Sequence, residues 1–138
     1  PRFNGWYIEG SWVLTGEKRR YNTGNSVFDA PPSNNPWQPG SGGYGTFELV
    51  ARYSTVDLNF REGLPGTAQA ADGVRGGEQT VASVGVNWYV NSNLRFMLDY
   101  LHVDVDRLSP NAATFNTPVG AQIGQTFDAI ALRTQFGF

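Results

Sequence analysis

The side chains able to do chemistry in this chain are few, and their spacing offers fixed charge rather than catalysis. His102 is the only histidine and there is no cysteine. That excludes a disulfide framework, an iron–sulfur cluster and a Cys-ligated zinc site, and leaves any catalytic triad dependent on one base. His102 has no nucleophile or carboxylate partner at a recognisable spacing, which argues against a catalytic role. Asp104-Val105-Asp106 resembles the opening of a calcium loop but lacks the other ligands and the glycine turn, and reads as the solvated end of a strand. Gly40-Ser41-Gly42-Gly43-Tyr44-Gly45 satisfies G-x-G-x-x-G, yet a dinucleotide site needs a strand before it and a helix after it. A strand pattern follows, so the motif is a decoy. Neither an enzyme nor a cofactor or metal site is expected. What remains is charge: the basic run Lys18-Arg19-Arg20, and the isolated Arg52, Arg95 and Arg133 with Glu9, Glu48 and Asp99.

The elements that carry the isolated charges are strands. Apolar and polar residues alternate with period two in five segments, the mark of a strand whose faces meet different media. Trp6, Ile8, Gly10, Trp12 and Leu14 share one face of the first. Phe47, Leu49, Ala51 and Tyr53 do so in the second, Ala82, Val84, Val86 and Trp88 in the third, Leu94, Phe96, Leu98 and Tyr100 in the fourth, and Ile130, Leu132, Thr134, Phe136 and Phe138 in the last. None of these positions is charged, while Glu9, Glu48, Arg52, Arg95, Asp99 and Arg133 all fall on the interleaved face. No stretch of ten residues has helical spacing with suitable caps.

Asn91-Ser92-Asn93 predicts a tight hairpin, and Arg61 to Gly77 and Leu108 to Ile123 predict longer loops built of Gly, Pro, Ala, Asn and Gln. Between Gly16 and Gly43 the rhythm breaks. A sixth, shorter strand near Asn25 to Ala30, after a hairpin around Tyr21 to Gly24, would restore an up-and-down order.

Composition narrows the medium. The 138 residues are 40% hydrophobic, 14% aromatic and only 16% charged, with 17 glycines and a net charge of −2. A disordered tail or a nucleic-acid binder would need a surplus of like charge. No apolar run approaches the ~20 residues of a spanning helix. The chain opens Pro1-Arg2-Phe3 with neither an initiator methionine nor a signal peptide, and a processed end or an internal cut is expected. Alternating strands also occur in soluble β-sandwiches. Three features favour a membrane instead: Lys18 is the only lysine, Trp and Tyr cluster toward strand ends, and the last strand runs out through Phe136 to Phe138. Each segment matches the ~9–11 residues of a tilted membrane-crossing strand. In a bilayer the sheet must close, and six strands fall short of the ~8 of the smallest barrels. The expected fold is therefore all-β, an antiparallel up-and-down transmembrane barrel of which residues 1–138 form the C-terminal part. The competing reading is a soluble sandwich binding carbohydrate or protein through Trp37 and the Gly-rich loops; detergent dependence would separate the two.

Gly5-Trp6-Tyr7-Ile8-Glu9-Gly10-Ser11-Trp12 leading into Leu14-Thr15-Gly16-Glu17, then Phe47 to Ser54 with Asp57-Leu58, then Gly85 to Tyr89 and Asn93 to Tyr100, resemble the phosphate-selective porin O/P family of bacterial outer-membrane channels. The ending Arg133-Thr134-Gln135-Phe136-Gly137-Phe138 is similar to that of many outer-membrane proteins, where the last aromatic is read by the barrel-assembly machinery. The resemblance implies a sixteen-stranded homotrimeric porin in the outer membrane, of which this is roughly the last third, passing small anions such as phosphate by passive diffusion. Asp29 stands where the family tends to be basic, so a general or weakly anion-selective porin is an equal expectation.

Roles follow from that frame. Glu9, Glu48, Arg52, Arg95, Asp99 and Arg133 are expected to line the pore, the arginines either concentrating anions or paired across strands with the acids. Lys18, Arg19 and Arg20 are expected at the pore mouth, facing anions or simply solvated. Trp6, Trp12, Leu49, Tyr53, Trp88, Phe96, Tyr100, Leu132, Phe136 and Phe138 are expected to face lipid.

Overall fold

A computed structural model describes residues 1–110 and 117–137; Phe138 and part of the loop expected from Leu108 to Ile123 lie outside the described residues. The described chain is all β. Its strands are β1 (Asn4–Val13), β2 (Tyr21–Asn22), β3 (Val27–Phe28), β4 (Thr46–Phe60), β5 (Val74–Tyr89), β6 (Leu94–Asp106) and β7 (Gln125–Phe136). Among the described residues no helix is long and apolar enough to cross a membrane. Five strands form one antiparallel sheet in the order β1-β4-β5-β6-β7, and β2 and β3 pair only with each other.

That last fact corrects the expected sixth strand. Val27 and Phe28 are extended, but they pair with Asn22 and Tyr21 rather than with β1 or β4. The stretch between β1 and β4 is thus a single long connection carrying its own hairpin. Pro31, Pro32, Pro36 and Pro39 lack the N–H groups a central strand must donate, so the segment after β3 cannot join the wall. It is anchored instead by isolated bonds, Trp37 N to Val90 O at 2.8 Å and Gly45 N to Asn35 O at 2.8 Å. Gly45 enters β4 with φ +76°, and a Cβ there would strike the Tyr89 carbonyl, so both conformation and space demand glycine. At the predicted tight turn, the Asn91 Oδ1 accepts from Asn93 N at 2.9 Å and Leu94 N at 3.0 Å. The side chain thereby closes the turn together with the backbone bond from Val90 N to Leu94 O at 3.0 Å.

Strands β4 and β5 have 15 and 16 residues, longer than the alternation predicted. Along β4 the face that carries Phe47 to Tyr53 continues as Thr55, Asp57 and Asn59, while the other face turns apolar at Val56, Leu58 and Phe60. Strand β6 does the same after Tyr100, with His102, Asp104 and Asp106 replacing the apolar series. The period of two persists, but its sign reverses.

The strands contribute to two compact units. The first comprises Pro1–Ile8, Arg52–Ala82 and Leu101–Ala129. In it the continuing face is tied by polar pairs: Thr80 to Thr55 at 3.5 Å, Thr126 to Asp104 at 2.6 Å, and His102 Nδ1 to Asp128 Oδ1 at 2.7 Å. The acid beside His102 was not foreseen, because it stands 26 residues away and only strand pairing brings it near. Val103 and Leu108 are buried in this unit, as is Arg75, whose guanidinium donates to three backbone carbonyls: Glu62 O at 2.8 Å, Ser109 O at 2.8 Å and Thr67 O at 2.9 Å. Gly66 N also donates to Gly120 O at 3.0 Å, so the two long loops are joined. The second unit comprises Glu9–Ala51, Ser83–Tyr100 and Ile130–Phe138, with Tyr89, Val90 and Met97 buried.

Candidate functional site: a charged sheet face

Two faces of the second unit differ in kind. On one, Phe47 and Trp88 stack with centroids 5.8 Å apart and planes 2° from parallel, and Trp88 meets Phe96 at 5.8 Å. Ile130, Leu132 and Phe136 stand on this face with exposures of 77%, 72% and 67%. Trp12 and Leu98 are exposed there too, and Leu49 and Tyr100 share its parity. In the first unit, Trp6 and Tyr53 touch at 5.6 Å on the corresponding parity. A β-sandwich would hide such rings under a second sheet, and no such sheet covers them among the described residues.

The opposite face of the second unit is polar, and its centre is Glu48. This carboxylate is fully buried; Oε2 accepts from Asn87 Nδ2 at 3.0 Å and from the Tyr89 hydroxyl at 2.9 Å. Oε1 has the Arg19 guanidinium at 3.2 Å and no hydrogen bond of its own. Arg19 also donates to Ser11 Oγ at 3.3 Å and to the Asp29 carbonyl at 3.2 Å. Arg19 is therefore no solvated member of a basic run. It holds the long connection against the charged face, while Lys18 and Arg20 on either side are exposed. Nearby in sequence, burial acts to raise the Glu17 carboxyl, but hydrogen bonds from Thr15, its own backbone and Thr46 outweigh it and hold the group below its ordinary value.

The arginines of this face do not all find acids. Arg95 donates through Nε, at 3.0 Å, and Nη2, at 2.5 Å, to Gln135 Oε1, and its guanidinium lies 5.7 Å from the Tyr89 ring centre. Arg133 Nη2 points at Met97 Sδ at 3.3 Å. Neither has a carboxylate within ion-pair distance among the described residues. Asp99 lies over Gly85, where the missing side chain leaves it room, and Glu9 shares the parity of Ser11. In the first unit Arg52 covers the Tyr7 ring at 4.5 Å. Asn87, Tyr89 and Gln135 were absent from the expected set. Their positions on the polar parity were visible, but their role depends on which strand lies opposite, and register is not written in one strand alone. Among the described residues no group of His, Asp and Glu could hold a metal.

The sequence profile of the family described as Phosphate-selective porin O and P matches residues 1–138. The chain belongs to that family. A protein of Caulobacter vibrioides described as uncharacterized is 34% identical over 110 residues, covering 80% of this chain and 19% of that protein. Porin O of Pseudomonas aeruginosa is 26% identical over 107 residues, covering 78% of this chain and 23% of its own length. The chain thus spans about a fifth of the length of these relatives. No solved structure matches it. Family membership agrees with an all-β chain, in whose second unit one face is aromatic and exposed and the other carries buried or hydrogen-bonded charge.

Proposed function

We propose that residues 1–138 are the C-terminal part of an outer-membrane porin wall, a passive channel for small ions and solutes with a weak preference for anions. The observation that carries this reading is the division of the second unit into an exposed face of Trp, Phe, Leu and Ile and a polar face centred on Glu48. Hydrocarbon suits the first and an aqueous passage suits the second. Five strands are too few to close a barrel, and the relatives are several times longer, which favours further strands beyond β1 and β7. In this reading Trp6, Trp12, Leu49, Tyr53, Trp88, Phe96, Tyr100, Leu132 and Phe136 meet lipid or a neighbouring copy in a homotrimer. Glu9, Arg52, Arg95, Asp99 and Arg133 line the pore, while Glu48, fully buried, stands behind the connection that Arg19 holds against this face.

Anion preference is supported by Arg95 and Arg133, whose charges meet no contacting carboxylate among the described residues. A fixed guanidinium at a pore wall raises the local anion concentration, more so at low salt. In full-length protein held in planar bilayers, replacing Arg52, Arg95 and Arg133 together by glutamine is expected to lower the anion-to-cation permeability ratio by about two- to fivefold. The reversal potential in a salt gradient reads this directly, and an unshifted potential rejects the selectivity role.

A further inference from the structure

Beside the Arg95–Gln135 contact the second unit holds an open groove of about 380 Å³. Phe28 and Asp29 of the β2–β3 hairpin line it, together with Asn91 and Asn93 of the tight turn and Arg95 and Gln135 of the wall. Its volume falls at the small end of the ~300–1,000 Å³ typical of small-molecule clefts. Asp29 and Arg95 line the same groove, yet no ion pair joins them among the described residues. Both keep capacity to spare. Arg95 spends Nε and Nη2 on Gln135, and its Nη1 makes no hydrogen bond among the described residues. On Asp29, Oδ1 accepts one long bond from Asn22 at 3.5 Å.

A small space that presents a cation and an anion from different elements, unpaired with one another, complements a ligand carrying both charges. An inorganic anion would gain Arg95 but meet Asp29 as a like charge, and a simple amine would meet the reverse. We propose that this groove is a subsite for small zwitterions, α-amino acids or short peptides, whose carboxylate meets Arg95 and whose ammonium meets Asp29. Asn91 Nδ2 offers a further donor, whereas the Asn93 amide is already bonded to Gly137 O and Ser92 Oγ, and Phe28, 60% exposed, offers an apolar wall. The proposal rests on the porin reading only in placing the groove along a solute path.

The test is equilibrium binding of dialanine, inorganic phosphate and ethylamine to the detergent-solubilised full-length protein by titration calorimetry, with conductance measured separately. Asp29→Asn is expected to weaken dialanine about tenfold and to strengthen phosphate, whereas Arg95→Gln weakens both. Ethylamine is expected to show the mirror pattern, weakened by Asp29→Asn and strengthened by Arg95→Gln. The subsite is overturned if wild-type protein binds no dialanine, or if Asp29→Asn moves dialanine and phosphate in the same direction. Dialanine binding with this charge dependence in a protein that opens no conductance would uphold the subsite and sink the porin reading.

Discussion

Replacing Arg75 by alanine is expected to free the two long loops while leaving the sheet in place. Arg75 is 2% exposed and has backbone carbonyls as its acceptors, from Glu62, Thr67 and Ser109. Its own carbonyl accepts from Arg107 Nε at 3.1 Å. Removing the guanidinium leaves three carbonyls without that donor, each worth about 1.5–3 kcal/mol when bonded to a charge. Water reaching the opened site recovers part of this, so a net local loss of about 3–5 kcal/mol is expected. Amide exchange over residues 61–73 in the full-length protein should then quicken about a hundredfold or more. Arg75→Lys should fall between, since one ammonium cannot span three carbonyls in a fixed fork. Unchanged exchange in the alanine variant would show that the Gly66–Gly120 bond and the loop backbone hold the structure without Arg75.

The second large effect centres on Glu48. Glu48→Leu keeps the volume roughly constant but leaves the Tyr89 hydroxyl, Asn87 Nδ2 and Arg19 without their shared acceptor. Breaking a buried pair costs about 3–5 kcal/mol, and the low end applies here because the Arg19 side chain is 30% exposed and partly solvated. Guanidinium unfolding of the full-length protein should show a loss of about 3 kcal/mol, with Glu48→Gln losing less because a side-chain oxygen remains to accept. The connection between β1 and β4 should also become accessible to protease, since Arg19 no longer holds it to the face. A Glu48→Leu protein within about 0.5 kcal/mol of wild type would mean that the network is satisfied by water and stabilises nothing.

How much of this was legible beforehand follows from the range of each signal. Phe47 to Tyr53, Ala82 to Trp88, Leu94 to Tyr100 and Ile130 to Phe136 announce strands because a local alternation needs no partner to be seen. The continuation of β4 through Phe60 is equally alternating, but its apolar residues Val56, Leu58 and Phe60 sit on the other parity, so a search for one apolar face stops at Tyr53. Val74 to Gly77 reads as loop because Gly76 and Gly77 have no side chain to pack. The expected wall strand at Asn25 to Ala30 failed for the opposite reason: Val27 and Phe28 are good strand residues, but what they pair with is a tertiary matter. The same limit hid the His102–Asp128 contact and the Tyr89–Glu48 hydrogen bond, separated by 26 and 41 residues. Fixed charge on one face was readable from spacing. Which charge meets which acceptor was not.

The account stands or falls on which medium touches each side of β6. Single nitroxide labels at positions 95 to 106 of the full-length protein in lipid bilayers, probed with oxygen and with a water-soluble nickel chelate, measure this position by position. Positions 96, 98 and 100 should favour oxygen, as lipid contact requires, while 95 and 99 should favour the nickel chelate and 97, buried in the structure, should be screened from both. At 102, 104 and 106 the even side should become water-accessible in its turn, following the polar residues that stand there. If 96, 98 and 100 are screened from both probes as in a protein core, or reached by the nickel chelate as freely as their neighbours, the membrane-spanning wall is contradicted.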